Sequence, residues 1–188
     1  MSELMLSRRT AFRGLAALAG ATALAACTIT RDGNVTTITV NVAKVKAYGA
    51  AGLNAVSTIL SVAAIASAIG APAVAGIEAA AVALSASLAA FSTAAGSSVT
   101  VTYDSTSFKT AIDSVLADLK AVASDLAAAV SGANTKVGSS ALSTATTALD
   151  ALQTVVSVFE GLLGVVTARR VGATMTEAQA LAILHVAV

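Results

Sequence analysis

The chain has no tryptophan, and a single cysteine, histidine and proline among its 188 residues. It has only four phenylalanines and two tyrosines, and charged residues make up 11% against about 25% in an ordinary soluble domain. Each shortage excludes something. One Cys with one His cannot build an ordinary structural zinc site, and a lone thiol has no disulfide partner within the chain. Sparse Lys and Arg leave no basic surface for tracking phosphates, so nucleic acid is not an expected partner. A chain that is 56% hydrophobic is also unlike a disordered one, which needs low hydrophobicity and high charge. No glycine-rich turn leads into a helix with a following Lys, so a phosphate cradle lacks its parts.

What is abundant is alanine and valine, with Ser, Thr and Gly between them. Charge is unevenly spread: residues 1 to 26 carry Arg8, Arg9 and Arg13 against Glu3, whereas the remainder has eight basic and nine acidic side chains. After the basic start, Gly14 to Ala26 runs without a charge. Thirteen residues are too few to span a hydrocarbon layer about 30 Å thick, which takes roughly 20. They suit the apolar core of a signal peptide, followed by small residues at which a peptidase can cut. The other reading is an N-terminal helix packed on the domain.

The run ends in Leu24-Ala25-Ala26-Cys27, which resembles the lipobox of bacterial lipoproteins. The resemblance implies that the leader 1–26 is removed, that the Cys27 thiol is joined to diacylglycerol, and that the new amino group is often acylated. Ser7-Arg8-Arg9-Thr10-Ala11-Phe12-Arg13 is similar to a twin-arginine export motif, departing from it at Ala11. In double-membrane bacteria Thr28, following the cysteine, favours the outer membrane over retention at the inner one. Each buried methylene contributes about 0.8 kcal/mol, so two or more acyl chains anchor stably. The expected partner is therefore a membrane reached through a palmitate-like anchor, with a second copy or another envelope protein also open.

After Cys27, Thr28 to Asn34 reads as a polar tether, so 27–34 is expected to be a lipidated link and 35–188 one domain. Val35 to Val40 and Val99 to Tyr103 are β-branched runs that predict strands. Asn41 can cap a first helix reaching about Ile69. Gly70 stops it, and Pro72 opens a second that runs to about Ala95. A third is expected over Phe108–Val130, a fourth over Ala141–Val166, and a short last one after a Thr174/Glu177 capping box. Strand, helix and helix thus occur twice, which makes a duplication of 35–96 and 97–170 conceivable.

Apolar residues recur at alternating steps of three and four: Val42, Val45, Gly49, Gly52, Val56 and Ile59 in the first helix, continuing to Ala63 and Ala66. Val74, Ile77, Ala81, Leu84, Leu88, Phe91 and Ala95 do so in the second, Phe108, Ile112, Val115, Leu119, Val122, Leu126 and Ala129 in the third, and Leu142, Ala145, Leu149, Leu152, Val156, Phe159, Leu163 and Val166 in the fourth. Four such seams predict a mainly α fold: an antiparallel four-helix bundle, a small two-stranded ribbon and a short C-terminal helix. The third helix has a polar side in Lys109, Asp113, Asp118, Lys120 and Asp125. By contrast, no charge lies between Ala47 and Ile77 or between Ala79 and Tyr103. By length, 47–95 could be an inserted hairpin. Against this, Leu, Ile, Val and Phe, which drive insertion most clearly, supply only about a third of each run.

No catalytic constellation emerges. His185 has no Ser or Cys nucleophile beside it in sequence. The acidic residues Asp113, Asp118, Asp125 and Asp150 are spaced as a solvated face rather than a metal clamp. Glu78 and Glu160 stand within apolar helices and could share a proton if buried together, although a rim placement fits their positions better. Gly132, Lys136 and Gly138 read as a connecting loop. The sequence thus predicts a non-enzymatic, lipid-anchored structural or interaction protein that needs no cofactor or metal. A membrane-inserting or pore-forming protein using 47–95, and a carrier of apolar ligands, are the alternatives.

Overall fold

A computed structural model describes residues 27–32, 35–103, 106–164 and 175–186. The leader, with Arg8 and Arg9, lies outside the described residues, as do Thr174 and Val166. Within them the protein is mainly helical with a small antiparallel sheet. There are six helices and three strands, not the five helices and two strands expected.

The additional strand comes from the expected tether. Strand β1 (Cys27–Asp32) pairs antiparallel with β2 (Val35–Asn41), from Cys27 opposite Val40 to Asp32 opposite Val35. On the other side of β2 lies β3 (Thr100–Thr102), so the order is β1-β2-β3. The alternation Thr-Ile-Thr in 28–30 mirrors Thr-Ile-Thr in 37–39, and Ile29 opposes Ile38. A half-buried, β-branched surface of this kind is what a pleated sheet accommodates. Val40 and Val101 sit side by side in the core. The Tyr103 N–H donates to the Ile38 carbonyl at 2.8 Å, extending the ladder by one residue.

Helix α1 (Val42–Leu60) follows β2 without a gap. Asn41 caps it as its sequence predicts: Oδ1 accepts from the N–H groups of Ala43 at 2.9 Å and Lys44 at 3.4 Å. The expected continuation to Ile69 does not occur. The chain breaks at Ser61–Val62 and turns by 86° into a short α2 (Ala63–Ile69). The seam ends there too, with Ala63 exposed and Ala66 only half-buried. The break has no proline or glycine, and it is held by the Ser61 hydroxyl donating to the Thr58 carbonyl at 2.7 Å.

Gly70, at φ 81°, then supplies the left-handed turn that only glycine adopts readily, and Pro72 occupies the first turn of α3 (Ala71–Ala95). Beyond β3 come α4 (Thr106–Ala133), α5 (Ser139–Leu162) and α6 (Glu177–Ile183).

Most predicted seam positions are in the core, while Val74, Ala81, Leu88, Phe108, Leu142 and Val156 are half-buried. Val45, Ile59, Leu84, Phe91, Leu119, Leu126, Leu152 and Phe159 are all fully or almost fully buried. Helices α3 and α5 each pack on α1 and α4, with no comparable contact between themselves, so they stand at opposite corners of the helical body. Helix α6 lies across α5 and α1.

Close approach is set by two glycines on α1. A Cβ at Gly52 would come 2.5 Å from Leu119 Cδ1 and 2.7 Å from Leu84 Cδ2, and one at Gly49 would come 2.8 Å from Leu88 Cδ1. A methyl group at either position would therefore require the ends of Leu84, Leu88 or Leu119 to shift.

The last helix begins two residues later than expected. Its capping box is Thr176/Gln179: the Thr176 hydroxyl accepts from the Gln179 N–H while the Gln179 side chain accepts from the Thr176 N–H. Glu177 is released from capping and turns inward. At the far end His185 takes φ 55°, and the N–H groups of His185 and Val186 donate to the carbonyls of Ala182 and Leu181. That is a Schellman motif closed by a histidine where glycine is the usual residue.

Candidate membrane-facing surface

Two buried or half-buried polar clusters were not foreseen from sequence. In the first, Lys44 Nζ donates to Glu177 Oε1 at 2.5 Å and Tyr48 Oη donates to the same oxygen at 2.9 Å. The Tyr48 ring lies 5.2 Å from that of Phe159, tilted by 47°. Asn54 Nδ2 donates to the Leu184 carbonyl at 2.8 Å, so α6 is fastened to α1 at both ends. A buried ammonium requires an ionised partner, and here it finds one 133 positions along the chain. The only sequence signal was that Lys44 lies beside the seam residue Val45 at the start of α1.

In the second cluster Tyr103 Oη donates to Asp113 Oδ1 at 2.6 Å and accepts from Lys109 Nζ at 3.1 Å. Lys109 also pairs with Asp113 Oδ2 at 2.6 Å, and its Nζ stands 4.8 Å from the centre of the Tyr103 ring. Burial, then the hydrogen bond to Asp113, pushes the phenol pKa above its ordinary value. The hydrogen bonds to Asp113 and then to Tyr103 raise that of Lys109. A phenol held protonated is a poor nucleophile. The cluster clasps the end of the sheet to α4.

The remaining candidates are scattered. Glu78 is exposed on α3, while Glu160 on α5 pairs with Lys120 of α4 at 2.7 Å, so the two carboxylates are not brought together. Asp125 and Asp150 are exposed, and His185 is exposed at the end of α6. No group of three or more His, Cys, Asp or Glu side chains able to hold a metal exists among the described residues. Lys136, in the loop after α4, donates to the Ala68 carbonyl at 3.2 Å, tying that loop to α2. Beside this tie an open groove of about 390 Å³ runs between α2, α3 and α4, with walls including Ile69, Gly76, Ile77 and Gly132.

The surface itself is more informative. Helix α3 buries a ridge one residue wide, Ile77, Leu84 and Phe91, each seven positions apart, with Ala95 at its end. Most of what it exposes is alanine: Ala75, Ala79, Ala83, Ala86 and Ala90 among others, with Val82 in the middle at 69% exposure. Glu78 is its only charge. At about 1.5 Å per residue this face is roughly 37 Å long. Among the described residues α3 is the one unbroken helix long and apolar enough to cross a membrane, and only 17% of its most apolar window is buried.

At its C-terminal end the chain passes through Ser97 and Ser98 to Val99, which at 75% is the most exposed large hydrophobic residue among those described. Val99 forms a shallow recess with Ser98, Val42, Ala43 and Lys46. This is not an anion site, because the first N–H groups of α1 are already satisfied. Val42 donates to the Val99 carbonyl at 3.0 Å, and Asn41 takes the next two.

Cys27 stands two strands from Val101, about 10 Å away at the usual strand spacing, in the row Cys27–Val40–Val101. Cys27 itself pairs with Val40, two residues before α1 starts at Val42. Helices α4 and α5 differ from α3 in exposing Lys120, Asp125 and Asp150.

No protein-family model, no curated protein and no solved structure matches this chain.

Proposed function

We propose that the protein is a lipid-anchored structural or interaction protein of the bacterial envelope, held on the periplasmic side of the outer membrane through Cys27 after export and removal of 1–26. One observation carries the proposal. The lipobox-like Leu24-Ala25-Ala26-Cys27 ends the uncharged run that follows Arg8, Arg9 and Arg13. The Ala26–Cys27 bond is the one a lipoprotein peptidase would cut. The polar clusters support a non-catalytic role, since each fastens one element to another, and the four long helices serve as an antiparallel bundle that displays its surface. The test is the mass of the mature protein purified from membranes. A chain beginning at an acylated Cys27 is expected, and an intact Met1 with an unmodified sulfur refutes the proposal. Cys27→Ala should prevent both acylation and normal release of the leader.

The exposed apolar length of α3 favours membrane insertion as a second reading. Insertion of 47–95 as a hairpin, however, would require α1 to leave the core, where Tyr48, Ala51, Ala55 and Ile59 are almost wholly buried. Carbonate extraction of Cys27→Ala separates the two. An inserted hairpin stays in the pellet, whereas a protein anchored only by lipid is released.

A further inference from the structure

Helix α6 is seated the way a bound peptide is seated. Its inward residues Glu177, Ala180, Leu181 and Leu184 fall at i, i+3, i+4 and i+7, the spacing with which an amphipathic helix anchors in a groove. The three apolar ones are buried where α6 meets α5 and α1, and α6 has no comparable contact with α3, α4 or the sheet. Both of its ends are closed from within. Thr176 and Gln179 cap the first turn, and the N–H groups of His185 and Val186 close the last. The polar ties to the body come from α1: Lys44 and Tyr48 donate to Glu177, and Asn54 donates to the Leu184 carbonyl.

The body beneath has its own closure. Helix α1 packs directly on α3, α4 and α5, and α4 packs on α3 and α5. In the seat stands Lys44, the one buried charged residue among those described. A buried ion pair is weak evidence for stability, and its best-attested use is to fix partner and register. An apolar side chain at 44 would suit a permanent core helix, whereas a cation selects a segment that brings a carboxylate.

We propose that the seat formed by α1 and α5 is a binding site for an amphipathic helix of a partner protein, and that α6 is the built-in occupant this partner displaces. The partner helix carries a carboxylate followed by small or apolar residues three, four and seven positions on. Its chemistry is given by the occupant now in place, and Lys44 matches that carboxylate in charge. The inference goes beyond the lipid anchor proposed above and stands without it.

The probe is a fluorescein-labelled peptide of residues 175–188. The receptor is the full-length protein with its own α6 unseated by Leu181→Asp and Leu184→Asp. Ala180→Pro is a second way to unseat it, removing the Ala180 N–H bond to the Thr176 carbonyl without adding charge. Circular dichroism reports whether the helical body stands, and fluorescence anisotropy reports binding. The peptide should bind both variants, and should bind the wild type, whose seat is filled by a tethered helix, at least about tenfold more weakly. A Glu177→Ala peptide should lose about tenfold in affinity for the variants, the smaller end of what a hydrogen bond to a charged group contributes.

Folded variants that fail to bind the peptide overturn the proposal. Equal binding of the Glu177→Ala peptide overturns it too, because the contact is then apolar adhesion alone, and equal binding to the wild type shows that the peptide sits elsewhere. Loss of the helical signal in both variants makes α6 a part of the core and not its occupant, which also overturns it.

Discussion

Helices α3 and α4 are neighbours of nearly equal length, yet they solve the problem of being a helix in water in opposite ways. Helix α4 buries a broad stripe that includes Ile112, Val115, Leu119, Val122 and Leu126, and it covers its outer side with Lys109, Asp118, Lys120 and Asp125. Helix α3 buries a line of single residues and leaves alanine outside. Its high mean hydropathy, 1.8 over its best window, therefore reflects small methyl groups and not a strong drive out of water. Apolar length and apolar area are different quantities, and in α3 they separate.

The comparison makes the ridge of α3 the most sensitive part of the molecule. Phe91→Ala should lower the free energy of unfolding by about 3–5 kcal/mol, as for other buried aromatics, measured from the denaturant midpoint. A loss under about 1 kcal/mol would mean that α3 is held by something other than its ridge. Gly52→Ala tests how tightly α1 is pressed between α3 and α4. The added methyl meets the ends of two leucines, and an overpacking loss of about 1–3 kcal/mol is expected.

Glu177→Gln leaves Lys44 without its charged partner and should cost about 1.5–3 kcal/mol, in the range of hydrogen bonds to charged groups. Faster amide exchange confined to α6 would show that the loss is local. If exchange accelerates equally throughout the chain, α6 is not a separate strap.

Smaller effects concern the surfaces. Raised pKa values at Tyr103 and Lys109 mean that both hold their protons more tightly folded than unfolded. Their contribution is complete below the ordinary values of 10.0 and 10.5 and is lost as pH rises through the raised ones. Denaturant midpoints should therefore hold up to the ordinary tyrosine value of 10.0 and fall above it, and Tyr103→Phe should flatten that fall. Smallest of all, Val82→Ser on the open face of α3 should change stability by no more than about 0.5 kcal/mol. A larger loss would mean that the alanine face is covered in solution.

Much of this was legible in the sequence, for definite reasons. Periods of three and four marked the ridges of α1, α3, α4 and α5, because a buried helical face must repeat with the helical turn. Asn41, Gly70 and Pro72 announced their boundaries through chemistry that hardly depends on context. Strand β1 was hidden because a polar Thr-Ile-Thr segment resembles a linker until its partner is known, and pairing is a property of two segments. The break at Ser61–Val62 is likewise set by packing. Lys44, Tyr48 and Glu177 lie too far apart in sequence for any local pattern to join them. Glu177 was misread as a capping residue because Thr174 and Thr176 offer two registers for one motif.

The start of β1 at Cys27 also has a consequence for reach. A lipoprotein with a long flexible stalk can search tens of ångströms above its membrane, but this chain enters a hydrogen-bonded ladder at the residue proposed to carry the lipid. With the lipid on Cys27 as proposed, its working height would be no more than its own thickness, and whatever it engages would have to come down to the lipid surface.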